Sequence, residues 1–167
     1  MAQLDHFIHS DEIHPIDIVE SVATFHEWDF DRLTDDQIAM VVEGQWRTYS
    51  ITLAWSACDE VLRLICTFDM DPPAERLPAL YELLNLANDQ VWDGGFTFWP
   101  DQHLMVWRYG LVLGGEILAA PEQIGRMIQN AIENAERFYP AFQLACWADS
   151  TPAAALDIAM AEAYGRA

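Results

Sequence analysis

The chain has 167 residues, a hydrophobic fraction of 52% and a formal charge of −19, from 27 acids against eight bases, all of them arginine. One domain of that length and apolar content can build a core without a metal or a disulfide. So negative a field disfavours phosphate backbones and most membrane surfaces, which excludes nucleic acid and membrane as expected partners and favours encounter with basic proteins.

The three cysteines, Cys58, Cys66 and Cys146, have no CxxC spacing, and an odd number closes no disulfide framework. Two lie inside apolar runs and read as small buried hydrophobes in a reducing compartment. The opening residues lack the basic and apolar regions of a secretory signal. No run approaches the roughly 18 apolar residues of a membrane span. The expected location is cytoplasmic.

Residues 1–14 are polar and read as a flexible N-terminal segment. Pro15 suits the first position of a helix, and Ile16, Val19 and Ala23 recur at helical spacing, which predicts a short helix over about 15–25. From Glu27 the period becomes two. Trp28, Phe30 and Arg32 alternate with aspartates; after a turn at 34–36, Ile38, Met40 and Val42 alternate again. Ile51, Leu53 and Trp55 share one face of a third strand, and Leu62, Leu64, Cys66 and Phe68 one face of a fourth. Short strands separated by turn residues predict an antiparallel meander.

The 71–73 segment (DPP) closes the meander and opens an amphipathic helix carrying Leu77, Leu80, Tyr81, Leu84, Ala87 and Val91. Asp93, Gly94 and Gly95 end it. A hairpin follows, from Phe96 to Trp99 and from His103 to Val112. Its second strand places Met105, Trp107, Tyr109 and Leu111 on one face, with Leu104, Val106 and Val112 on the other. A strand apolar on both faces is normally covered on both. The strongest helix then carries Ile124, Met127, Ile128, Ala131, Ile132, Ala135 and Phe138, and Pro140 is expected to kink or interrupt it. Residues 149–167 read as a tail or a short peripheral helix. The fold expected is α+β in two layers: an antiparallel sheet of five to six strands with helices on one face.

Candidate chemistry is sparse. Residues 9–14 (HSDEIH) miss the H-x-x-E-H zinc spacing by one residue. Asp29, Asp31, Asp35 and Asp36 resemble a calcium loop, but Thr34 stands where glycine is needed and no glutamate closes the loop. Asp69 and Asp71 flank a proline turn with no histidine adjacent in sequence. The pairs at 94–95 and 114–115 are turn glycines rather than a phosphate cradle. No catalytic residue, metal site or cofactor is expected. Arg108, mid-strand among apolar neighbours, reads either as a snorkelling or salt-bridged arginine meeting one of the many acids or, with Trp107 beside it, as an anchor at a partner or subunit interface, where Trp and Arg are enriched.

Residues 15–20 (PIDIVE), 42–46 (VEGQW), 83–92 (LLNLANDQVW), 95–99 (GFTFW), 106–109 (VWRY) and 136–140 (ERFYP) together resemble the bacterial YbjN family over about 15–148. The tails 1–14 and 149–167 lie outside that match. The resemblance implies a type III secretion chaperone-like α+β fold that commonly dimerises, described as a sensory transduction regulator with no established catalytic residue. The expected function is therefore a non-enzymatic, protein-binding regulator or chaperone-like adaptor. It would act as a homodimer, with Leu104, Val106, Trp107 and Arg108 as partner or dimer contacts. The alternative is a small-ligand sensor or enzyme with a pocket between the sheet and the last long helix.

Overall fold

Apolar residues at every second position make each strand one-sided, and the sheet that they form is one-sided as well. The computed structural model describes residues 13–115 and 117–165. Six strands, β1 (Phe30–Thr34), β2 (Gln37–Glu43), β3 (Thr48–Ser56), β4 (Val61–Asp69), β5 (Gly95–Trp99) and β6 (Leu104–Val112), accompany four helices. These are α1 (Pro15–Phe25), α2 (Leu77–Asn88), α3 (Pro121–Trp147) and α4 (Pro152–Tyr164). The sheet is antiparallel throughout, in the order β1-β2-β3-β4-β6-β5. The second strand of the hairpin is thus interior, between β4 and β5. The chain is α+β with helices on one face, as its periodicity predicts.

Local chemistry explains the element ends. His14 caps α1, its Nδ1 accepting from the Ile16 N–H at 3.1 Å, while its Nε2 meets Asp36 at 2.9 Å in the β1–β2 turn. The histidine set aside as a weak metal candidate is therefore a cap; His9 lies outside the described residues. Asn88 ends α2 and then acts as a strand for β5, accepting from the Phe96 N–H at 2.7 Å and donating to its carbonyl at 3.0 Å. That blunts part of the free sheet edge. The buried stripe of α2 is Leu80, Leu83, Leu84 and Ala87; Tyr81, expected in it, is half exposed, and Val91 lies beyond the helix end.

The inner face is filled by aromatic rings under α3. Phe96 packs on Trp107, Phe138 and Phe142 at centroid distances of 4.9, 5.4 and 5.1 Å, and Phe68 continues the run to Tyr49 and Tyr139. This packing explains why Pro140 does not interrupt α3, which continues through it for 27 residues in all. Proline forfeits one helical hydrogen bond and crowds the preceding turn, about 3 kcal/mol. Ala141, Phe142, Ala145 and Cys146 beyond it are buried, and Phe142 with its neighbours offsets that cost at about 2 kcal/mol for each large side chain covered. The C-terminal segment forms a helix, α4, that is mostly exposed and buries Ala155, Leu156 and Ala159 against the same core.

A second tie joins α3 to the β2–β3 turn. The Glu136 carboxylate accepts from the Tyr49 hydroxyl at 2.5 Å and from the backbone N–H groups of Gln45 and Trp46 at 3.1 and 3.3 Å. A Cβ at Gly44 would collide with both Glu136 and the Tyr49 ring, so the tie requires glycine there.

Buried protons set an alkaline limit on this fold. Burial pushes the Cys66 thiol up to about 12 and the Cys146 thiol up to about 11. Burial, followed by the hydrogen bond to Glu136, also holds the Tyr49 phenol well above its ordinary value. Once pH passes the ordinary thiol value of 9.0, the unfolded chain binds fewer protons than the native one, so stability falls as pH rises. The contribution is complete below that value and is lost progressively toward 12 for Cys66. Urea midpoints followed by tryptophan fluorescence are expected to stay level up to about pH 8 and then decline. The decline should be shallower in Cys66→Ala; a flat profile in the wild type would contradict the burial of these groups.

Candidate interaction surface

Strand alternation divides β6 between two environments. Met105, Trp107, Tyr109 and Leu111 point toward the helices, whereas Leu104, Val106, Arg108, Gly110 and Val112 point away. Trp107 is therefore not a contact residue. It is 0% exposed, and a Cβ at Gly94 would lie 2.5 Å from its ring, so the glycine turn before β5 is shaped around the indole. Its Nε1–H is the buried side-chain donor without a hydrogen-bond partner among the described residues. Neighbours along a strand cannot share a face, so Trp107 and Arg108 have opposite fates.

The face turned from the helices can be read row by row across the sheet. One row runs Val41, Ser50, Thr67, Val106, Thr97; the next runs Ala39, Thr52, Ile65, Arg108, Gly95. Its centre is made of small and hydroxyl-bearing side chains. Apolar character is concentrated toward the hairpin, at Ile65, Trp99, Leu104, Val106 and Val112. Val106 is itself fully covered, flanked in register by Thr67 and Thr97, while Val112 is 69% exposed. The strand expected to be apolar on both sides is so, but the open face as a whole is not a broad greasy surface.

A groove of about 880 Å³ crosses this face over β4, β6 and β5. Val61, Arg63, Ile65, Thr97, Trp99 and Arg108 wall it, and its floor includes Gly95 and Gly110, which carry no side chain. No acid lines it. Of the other arginines, Arg32 meets Asp17 and Glu20 at 2.7 and 2.8 Å and Arg76 meets Asp149 at 2.7 Å and the Ala145 and Ser150 carbonyls, while Arg126 on α3 makes no hydrogen bond or ion pair among the described residues. Arg63 uses Nη2 on Asp59 and Ser56. Arg108 has no hydrogen bond or ion pair among the described residues, so it is not the salt-bridged arginine of the blander expectation.

The space between the sheet and α3 is packed. Ile124, Ile128, Ala131, Ala135, Phe138 and Phe142 are all fully buried there. A cleft of about 240 Å³ remains at the margin, by Tyr109, Leu111, Met127 and Arg126, where Asn130 donates to Asp93; Arg108 is not part of it. The acidic residues at 29–36 are exposed strand and turn positions apart from half-buried Phe30, with Asp36 given to His14. Asp71 does meet a histidine, His103, at 2.9 Å, which sequence adjacency could not show, and both are solvent-exposed. Among the described residues no three His, Cys, Asp or Glu side chains are grouped to hold a metal ion, and no helix is long and apolar enough to cross a membrane.

A family model described as "Putative bacterial sensory transduction regulator" matches residues 15–144. The chain belongs to the YbjN family. It is similar to the crystal structure of YbjN from E. coli, with a TM-score of 0.53 and 11% identity over 71% of this chain and 84% of that one. It is also similar to a chain in the HopA1–SchA chaperone–effector complex, with a TM-score of 0.48 and 15% identity over 70% and 85% of the two chains. No curated protein matches the sequence. At such identity the YbjN likeness shows a shared fold, and α4 lies beyond the residues that the family model matches.

The division of β6 has a direct consequence for stability. Trp107→Glu puts a charge in the aromatic core and is expected to unfold the protein, at a cost of more than about 4 kcal/mol. Val112→Glu, on the exposed face of the same strand, is expected to leave the fold of the single chain intact and to cost it less than about 0.5 kcal/mol. Circular dichroism and urea unfolding of both variants check this; equal effects would mean that the two faces are wrongly assigned.

Proposed function

We propose that this YbjN-family chain is a cytoplasmic regulator or chaperone-like adaptor that acts by protein contact, catalyses no reaction, and pairs as a homodimer when no client is bound. The observation that carries this reading is the sheet face turned from the helices, with Leu104 and Val112 accessible on it, Val106 covered between them, and Arg108 without a hydrogen bond or ion pair among the described residues. Backbone hydrogen bonds inside a sheet are already made, so a partner on this face is recognised by side chains.

Size limits how the face is used. Six strands, the longest of nine residues, span about 24 Å by about 27 Å, or about 650 Å². A standard interface takes about 800 Å² from each partner. The face therefore has room for one occupant at a time: a second copy in the free protein, a client in the complex. Pairing two copies through it gives an isologous contact in which Val112 and Leu104 recur on both sides.

Sedimentation velocity at micromolar concentration is expected to show a dimer for the wild type. Val112→Glu buries two charges in an isologous interface and should raise the dissociation constant by at least about tenfold. A monomeric wild type, or a Val112→Glu dimer as tight as the parent, would overturn the pairing.

A further inference from the structure

The groove over β4, β6 and β5 is lined by Arg108 and by Arg63, whose Nη2 is paired with Asp59 outside the groove, in a chain that is otherwise strongly acidic. The chain holds 27 acids and eight bases, yet the groove walls carry two of those bases and no acid. We infer that the groove seats an acidic, extended segment of a client protein, with a client carboxylate on the Arg108 guanidinium. The inference rests on the reading that the open face binds protein, and it names the chemistry of the segment bound there.

Three features carry it. Arg108 keeps its full set of donors, having no partner among the described residues, and only Nη2 of Arg63 is engaged. A guanidinium recognises a carboxylate through two parallel hydrogen bonds. Secondly, the register pairs Arg108 with Ile65 and Arg63 with Gly110, which makes the two arginines diagonal neighbours on one face, about 5–8 Å apart. Side chains at i and i+2 of an extended chain project to the same side about 7 Å apart, so two carboxylates in that spacing meet both arginines. Thirdly, Gly95 and Gly110 leave backbone as the floor, while Ile65, Val61 and Trp99 supply apolar wall for intervening contacts. The groove spans three neighbouring strands and about 880 Å³, more than a small anion fills, which suits a strand-like segment.

The overall charge does not forbid this. At about 0.15 M ionic strength the screening length is about 8 Å, so acids elsewhere on the surface act weakly while a contact pair in the groove is screened less. The long-range field selects against acidic partners in bulk; the groove selects for one that reaches it.

The test is fluorescence anisotropy with a fluorescein-labelled decapeptide of alternating leucine and glutamate, beside its leucine–lysine counterpart, at physiological salt. The glutamate peptide is expected to bind saturably and at least about tenfold more tightly than the lysine peptide. Arg108→Glu should lose at least about tenfold of that affinity. Gly110→Val, whose Cβ would meet Val61 at 3.2 Å, fills the floor and should weaken binding as well. Arg126→Glu, on α3, should leave it unchanged. Both groove variants must keep the wild-type circular dichroism spectrum, and Arg108 makes no contact whose loss would unfold the chain. Equal or tighter binding of the lysine peptide, or an Arg108→Glu protein that binds as the parent does, overturns the inference. If the dimer is observed and the glutamate peptide does not bind, the inference alone falls. If the peptide binds through Arg108 and no dimer forms, the pairing falls and the inference stands.

Discussion

Packing of α3 across one face of the sheet determines what every other part of this protein can do. Phe96 sits at the centre of that contact, touching Trp107 on the sheet and Phe138 and Phe142 on the helix. Aromatic pairs of this kind add about 0.5–1.5 kcal/mol each beyond the area that they bury. The same contact holds the helix together across Pro140 and gives α2 and α4 a surface to dock on. With all four helices on one side, strand alternation turns the other side of the sheet away from every helix among the described residues. The Glu136 tie to Tyr49 and the β2–β3 turn adds a polar anchor in the body of the same helix, beside the aromatic contact.

Charge is distributed with the same asymmetry. Arg32 and Arg76 are spent on joining elements: Arg32 links β1 to α1, and Arg76 joins the start of α2 to the α3–α4 connection. Arg47 lies over the Tyr139 ring and bonds its hydroxyl. Arg108 makes no hydrogen bond or ion pair among the described residues, and it stands on the sheet face turned from the helices. In a chain so acidic, a guanidinium without an internal partner among the described residues is conspicuous, and recognition of an outside group is the use that its position allows.

Much of this was legible in the sequence because the period-two and period-3.6 signals are strong. The first helix, the meander and the long helix follow from residues such as Ile38, Met40, Ile51 and Leu53, or Ile124, Ile128 and Ala131, all of which face the core. Pro140 does not end the helix, because the aromatic contacts beyond it, which exist only after folding, offset its local penalty. The C-terminal alanines form a helix of low amphipathicity, so periodicity could not reveal that Ala155, Leu156 and Ala159 are buried. Trp107 was grouped with Arg108 for its residue type, although strand parity already placed the two on opposite faces. Glu136 could not be matched to Tyr49 across 87 positions of sequence, and the groove depends on glycines that read as ordinary turn or strand residues. The shared signal in these cases is long-range contact, which a single sequence does not display.

The central claim is directional: partners meet the helix-free face. Photo-crosslinking in cells tests it most directly, with benzoylphenylalanine placed at Thr52 or Thr97 on that face and at Gln129 on the outer side of α3. The account predicts adducts from positions 52 and 97 and none from 129. Adducts arising only from the α3 position would contradict it.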